Sequence, residues 1–268
     1  MTHSDKLRRL REAFTSYGKC VVAFSGGTDS SVLAATAVRT LGADSCQAAM
    51  AITPMTAAGE PTYAQRIAEE IGIPLYTVEV NPLTNDAFRR NSIERCYHCK
   101  TMIFRELRRI ANGVTILAGD HIDDAGSYRP GRRALDELGI RRPFVECGFT
   151  KSEIRKLGHH YGLSNADRPA TPCLATRFAY GLELDFEKLR SVDEAEHRLR
   201  ELGVEGNLRV RIHAGSLARL EVSESELANF ADPKWRRNIV DAIQNLGFRY
   251  VVVDMEGFRS GSFDTTIK

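Results

Sequence analysis

Two sets of residues in this chain have the types and spacing to do chemistry. The first is Ser25-Gly26-Gly27-Thr28-Asp29-Ser30-Ser31, directly after the apolar run Val21-Val22-Ala23-Phe24. An apolar run broken by Ser-Gly-Gly and followed by Asp-Ser reads as a buried strand turning into the first turn of a helix. Adjacent glycines let the backbone approach a ligand and take dihedrals that other residues avoid. A helix start presents unpaired N–H groups and the positive end of a dipole, which suits a phosphate. Ser25, Ser30 and Ser31 add hydroxyls, and Asp29 is placed to help hold a divalent cation. The motif lacks Gly-x-x-x-x-Gly-Lys-Ser/Thr, so it is not a Walker loop.

The second set is sulfur. Cys96-Tyr97-His98-Cys99 places two thiols two residues apart, and Cys173 stands in an irregular Pro172-Cys173-Leu174 segment. A single Cys-x-x-Cys fits a redox dithiol, half of a zinc site, or part of an iron–sulfur site. The redox reading wants a thioredoxin-like context, which this is not. Zinc needs four ligands, which His98 or His121 would have to complete. With Cys173 as the third thiol, three cysteines would leave one iron of a [4Fe–4S] cluster without a protein ligand. Three unrelated cysteines are the remaining alternative. Cys20, Cys46 and Cys147 read as buried thiols.

The elements that must position these groups follow from periodicity. Helices are expected over residues 5–17, 29–41, 61–71, 99–111 and 151–161, and strands over 19–24, 46–52, 75–80 and 114–119, with a further short strand at 143–147. Strands alternating with helices argue for an α/β fold with a doubly wound parallel sheet. Ligands bind beyond the carboxyl ends of such strands, where the Ser-Gly-Gly turn and Gly119-Asp120-His121-Ile122-Asp123-Asp124 both fall. Residues 127–133 read as a polar, irregular, substrate-facing loop. A boundary near Gly181 separates residues 1–180 from a smaller α+β domain at 181–268. That domain is expected to hold helices at 185–202, 224–230 and 233–246 and strands at 208–213, 218–222 and 250–254. Arg209 and Arg211 share one face of the first of these strands, suited to clamping a phosphate through bidentate hydrogen bonds. Solvated edge charges are the alternative there.

At 268 residues, with 43% hydrophobic and 27% charged content, the chain has the composition of a globular protein. No apolar run is long enough to cross a bilayer. The polar start, Met1 to Lys6, carries no secretory apolar region, so a cytoplasmic location is expected. A net charge of +2 gives no global argument for nucleic acid, and no membrane partner is expected.

The Ser-Gly-Gly-x-Asp-Ser pattern resembles the PP-loop of the ATP pyrophosphatases, which cleave ATP between its α- and β-phosphates and adenylate a substrate oxygen. Four further segments follow in order: Arg95-Cys96-Tyr97-His98-Cys99-Lys100, Asp123-Asp124 with Tyr128-Arg129-Pro130-Gly131, Pro172-Cys173-Leu174-Ala175-Thr176-Arg177, and Arg209-Val210-Arg211. Together they resemble the LarE family of ATP-dependent sulfur transferases over nearly the whole chain.

The resemblance implies conversion of a carboxylate of pyridinium-3,5-biscarboxylic acid mononucleotide to a thiocarboxylate, in nickel-pincer nucleotide biosynthesis for lactate racemase. It implies ATP and Mg²⁺, a small-molecule nucleotide substrate, sulfide or another sulfur donor, and a homo-oligomer. In one branch of the family a cysteine matching Cys173 gives up its own sulfur. In the other, cysteines matching Cys96, Cys99 and Cys173 hold a [4Fe–4S] cluster, and this chain has all three. Candidate nucleotide-binding residues are Ala23, Ser25, Gly26, Gly27, Asp29, Ser30 and Gly119. Arg209 and Arg211 are assigned to the substrate phosphate, and Lys100 and Arg177 to phosphate or acyl-adenylate oxygens. Glu221, Asp123 and Asp124 read better as caps or ion-pair partners.

Three competing classes remain. A tRNA thiolation enzyme shares a PP-loop and a cysteine-held cluster but wants a broad basic surface. An ammonia-dependent amidating synthetase related to NAD or GMP synthetase needs no cysteine triad. A nucleotide sensor on the same fold would release no pyrophosphate.

Overall fold

A computed structural model describes residues 2–123 and 130–263; Asp124, Tyr128 and Arg129 lie outside the described residues. In chain order the elements are α1 (His3–Tyr17), β1 (Cys20–Ala23), α2 (Thr28–Leu41), β2 (Cys46–Ile52), α3 (Glu60–Ile71), β3 (Leu75–Glu79), α4 (Asp86–Arg89), α5 (Arg95–Ala111), β4 (Thr115–Leu117), α6 (Pro130–Glu137), α7 (Pro143–Glu146) and α8 (Lys151–Tyr161). After a 3-10 turn at Leu174–Arg177 come α9 (Phe186–Glu201), β5 (Leu208–His213), β6 (Leu217–Val222), α10 (Glu224–Leu227), α11 (Pro233–Gln244) and β7 (Tyr250–Val253). Two compact units result. One runs to Pro82 and from Glu94 to Thr171; the other takes Leu83–Ile93 and the described chain from Pro172 onward.

In the first unit the four strands form a parallel sheet in the order β3-β2-β1-β4. Side chains alternate across a strand, and β1 shows the consequence. Cys20 and Val22 join the core under α1, α2, α3 and α8 with Phe14, Leu33, Ile67 and Leu157. Val21 points the other way, to Phe104 and Leu107 of α5 and Leu135 of α6. Helices therefore cover both faces, and the central strand β1 needs apolar residues throughout. Cys20 and Cys46 are paired in register on neighbouring strands, each 1% exposed, with their sulfurs 3.9 Å apart. Their hydrogen bond, and burial after it, push the Cys20 thiol up from its ordinary range. Burial does the same for Cys147.

Two expected elements differ. Residues 143–146 are helical, not a strand. Pro143 lacks the N–H a ladder needs and has the dihedral of a first helical turn. The strand-like pairing shrinks to Arg141 beside Leu117, with Arg141 N–H donating to Ile116 O (3.0 Å) and accepting from Ala118 N–H (2.9 Å) at its carbonyl. The expected loop at 127–133 likewise starts a helix at Pro130.

The second unit has a three-stranded sheet in the order β5-β6-β7, with β5–β6 antiparallel and β6–β7 parallel. Residues 83–93 belong here, and hydrogen bonds are among the ties that hold them. Asn91 Nδ2 donates to Ala179 O (2.8 Å), Gly181 N–H to Asn91 O (3.0 Å), and Leu184 N–H to Arg89 O (2.8 Å). Among the described residues no helix is long and apolar enough to cross a membrane.

Candidate functional site

In the first unit, β1 ends at Ala23 and α2 begins at Thr28, so residues 24–27 make the expected sharp turn at the carboxyl edge of the sheet. Gly26 has φ +70°, and a Cβ there would lie 2.9 Å from Ala64 Cα on α3. Both its dihedral and its surroundings require glycine. Gly119, just past β4, lies equally close to α2; a Cβ would sit 3.1 Å from Asp29 C and Ser30 N. Gly27 is the N-cap of α2, and no side chain caps that helix. The first-turn N–H groups therefore keep their dipole and donor capacity for a ligand. Ser30 Oγ accepts from Ser25 N–H (3.2 Å) and donates to Gly27 O (3.1 Å), while Ser25 Oγ accepts from Gly27 N–H (3.3 Å).

Two side chains from far along the chain complete this turn. Lys151 Nζ lies 2.6 and 2.7 Å from the two carboxylate oxygens of Asp29. Lys151 is the first residue of α8, which a reciprocal Thr150–Glu153 capping box anchors, and its N–H donates to Asp123 Oδ2 (2.7 Å). Asp123 is thus a cap, as its position suggested. Asn165, 1% exposed, donates from Nδ2 to Gly26 O (2.8 Å) and Ser31 Oγ (2.9 Å). Its own carbonyl accepts from Thr28 Oγ1 (2.9 Å). Three residues on, Arg168 pairs with Glu60 of α3 (2.6 and 3.2 Å) and stacks on the Tyr63 ring at 3.6 Å.

The Cys-x-x-Cys lies inside the first turns of α5, which starts at Arg95, earlier than the expected Cys99. Cys96 is exposed and Cys99 half-buried. Residues three apart on a helix are neighbours, so both thiols serve one side of α5. A second helix braces that side. A Cβ on Gly131 of α6 would lie 3.2 Å from Lys100 Cγ and 3.6 Å from Cys96 Cβ, so Gly131 permits the close approach. Tyr97 Oη donates to Glu137 (2.7 Å), and the Arg133 guanidinium stacks on Tyr97 at 3.8 Å. Lys100 Nζ sits 5.5 Å from the Phe104 ring centroid.

In the second unit, exposed Cys173 opens a turn that two arginines hold from behind. Arg177, 2% exposed, is bidentate to Glu196 of α9 (2.9 and 2.9 Å) and donates to Pro172 O (2.7 Å). Arg211 donates to Thr176 O (2.8 Å) and pairs with fully buried Glu221 (2.9 Å). Glu221 also accepts from Arg219 (3.0 Å) and Ser262 Oγ (2.6 Å). It is an ion-pair partner, as expected. Arg209 differs from both. It donates to Leu208 O (2.6 Å), and among the described residues no carboxylate pairs with it. Burial, then the nearby Arg177 and Arg211 charges, lower it to about 10, with Glu196 acting the other way. A half-buried guanidinium in this state attracts an anion.

Comparison with known sequences decides the family. The profile of the NAD synthase family matches residues 5–102, which include the Ser-Gly-Gly turn. Pyridinium-3,5-bisthiocarboxylic acid mononucleotide synthase of Lactiplantibacillus plantarum is 34% identical over 269 residues, 99% of this chain and 96% of its own length. The chain belongs to the LarE family. It is an ATP-dependent sulfur-transferring enzyme on a PP-loop α/β fold. An uncharacterized Synechocystis protein is 36% identical over 98% of both chains. The tRNA-specific 2-thiouridylase of Azorhizobium caulinodans is 28% identical over 56% of this chain and 49% of its own.

With the LarE assignment in hand, the geometry separates the residues read from sequence. Ala23, Ser25, Gly26, Gly27, Asp29, Ser30 and Gly119 gather at one edge of the first unit. Cys96, Cys99 and Lys100 stand on α5, and Cys173, Arg177, Arg209 and Arg211 belong to the second unit. Among the described residues no group of three or more His, Cys, Asp or Glu gathers around a metal position. Lys151, Asn165 and Glu196 did not stand out in the sequence.

Proposed function

We propose that the chain adenylates a carboxylate of pyridinium-3,5-biscarboxylic acid mononucleotide and replaces the activated oxygen with sulfur, giving the thiocarboxylate of nickel-pincer nucleotide biosynthesis. The observation that carries this reading is the uncapped start of α2 behind the Ser-Gly-Gly turn, with the Asp29–Lys151 pair beside it. Similarity to the Lactiplantibacillus plantarum synthase over nearly the full chain supports the substrate.

A carboxylate is a poor acyl donor because oxide is a poor leaving group. Its oxygen attacks the α-phosphorus of ATP, the bond to the β-phosphate breaks, and pyrophosphate leaves. A sulfur nucleophile then attacks the acyl carbon and AMP departs. The turn's N–H groups and Ser25 and Ser30 hold the departing pyrophosphate. Asp29 would hold Mg²⁺, which would offset the charge of the phosphates, and Lys151, paired with Asp29 here, would then be free to bind a phosphate oxygen. Arg209 grips the substrate phosphate, while Arg177 and Arg211 shape the turn that presents Cys173.

Thiolates suit iron–sulfur ligation, and exposed Cys96 and Cys173 with half-buried Cys99 provide that donor set. A [4Fe–4S] cluster held by these three would supply bound sulfide as the nucleophile. Without it, the Cys173 thiolate attacks the acyl carbon and expels AMP. The Cβ–Sγ bond of the resulting thioester then breaks with loss of the Cα proton, leaving the thiocarboxylate and a dehydroalanine after one turnover. Iron and acid-labile sulfide after anaerobic purification distinguish the two: about four irons per chain support the cluster, and none assigns the donor to Cys173 alone. In either case Cys173→Ala is expected to keep pyrophosphate release and lose thiocarboxylate formation. Continued thiocarboxylate formation by that variant would overturn the sulfur assignment.

Partial similarity to a tRNA 2-thiouridylase keeps a second substrate class in view. Tight, salt-sensitive binding of tRNA would favour it.

A further inference from the structure

We infer that Asn165 is a positioning residue for the pyrophosphate of ATP, acting through the Gly26–Gly27 peptide. This rests on the nucleotide site proposed above. The carbonyl of Gly26 and the N–H of Gly27 belong to one trans peptide, so they point in opposite directions. Asn165 Nδ2 holds that carbonyl at 2.8 Å, inside the protein. The Gly27 N–H is thereby turned to the opposite side, where it lies 3.3 Å from Ser25 Oγ. Glycine at φ +70° followed by a second glycine leaves this peptide little steric resistance to flipping. A flip would aim a carbonyl oxygen, in place of a donor, at an incoming phosphate. Asn165 is suited to prevent it.

Asn165 is itself immobilised. It is 1% exposed, its second donor bond goes to Ser31 Oγ at 2.9 Å, and its backbone carbonyl accepts from Thr28 Oγ1 at 2.9 Å. Arg168, three residues later, is fixed on Glu60 and Tyr63. Asn165 Oδ1 is buried with no hydrogen-bond partner among the described residues. The amide is therefore kept for its donor side, which leucine and aspartate both lack at nearly the same size.

The test uses the full chain with Asn165→Leu and Asn165→Asp, titrated separately with magnesium pyrophosphate and with AMP, and a urea midpoint for each protein. The expected result is pyrophosphate affinity lowered about tenfold in both variants, as for loss of a buried hydrogen bond, with AMP affinity within about twofold of the unaltered chain. Unchanged pyrophosphate affinity in a folded variant would overturn the inference. So would equal weakening of both probes, the signature of a merely structural role. If the unaltered chain binds neither probe, the nucleotide site itself is wrong. Binding by the unaltered chain with indifferent variants sinks the Asn165 role alone.

Discussion

Three arginines within one small region carry the same charge and do different work. Arg177 and Arg211 have carboxylate partners and backbone carbonyls to hold; among the described residues Arg209 has a carbonyl but no carboxylate. From sequence, Arg209 and Arg211 are equivalent, two residues apart on one strand face. The distinction arises because the Arg211 guanidinium reaches diagonally to Glu221, which the register sets opposite Arg209. Arg209→Gln is therefore expected to raise KM for a phosphate-bearing substrate about 10- to 100-fold, the range for a charge-assisted hydrogen bond, with ATP affinity unchanged. Steady-state kinetics with substrate and ATP varied separately check this. Lys151 makes a different prediction. Lys151→Met removes the cation from Asp29, so Mg²⁺ should bind more tightly while pyrophosphate release slows about 100-fold. A metal titration beside a pyrophosphate assay reads both, and parallel changes would refute the exchange of cations.

Elements place these side chains, and their legibility varied for physical reasons. The strands at 46–52 and 208–213 stand where apolar runs and alternation put them. At Pro143 the apolar content suggested a strand, but proline's missing N–H and preset dihedral made a helical turn. Lys151 was invisible as a site residue because its partner lies 122 positions away. Its place was readable all the same, since Thr150 and Glu153 have capping-box spacing. That box is also tied to α1: Lys6 Nζ lies 2.7 Å from Glu153 Oε2. Burial would raise the Glu153 carboxyl, but hydrogen bonds from Lys6 and Thr150 outweigh it and bring it down from 4.5 to about 2. A carboxylate depressed on folding stabilises above its unfolded value and loses that contribution as pH falls through the folded one. Glu153→Gln should accordingly cost about 1 kcal/mol at neutral pH, as for a weakened cap. The difference should shrink as pH drops from 4.5 toward 2, which urea midpoints across that range would show.

Across the whole molecule the proposed roles divide between the two compact units. The groups proposed for the ATP phosphates, from Ser25 to Asn165, belong to the first; Cys173 and Arg209, proposed for the substrate phosphate, belong to the second. Glu196→Gln tests the division. Removing the carboxylate partner of the buried Arg177 guanidinium costs roughly 3 kcal/mol, so the unfolding midpoint should fall while ATP affinity stays within about twofold. A matching loss of ATP affinity would contradict it. The six cysteines are sorted as well. Cys20, Cys46 and Cys147 are buried, and Cys96, Cys99 and Cys173 are not. Sulfane sulfur, such as that of a persulfide or polysulfide, is attacked by thiolates, and that attack requires both access and deprotonation. Cys20 and Cys147 are denied both, being enclosed and held protonated. The core sulfurs are thereby shielded from any donor that carries sulfane sulfur, and the thiols left open to such exchange are Cys96, Cys99 and Cys173.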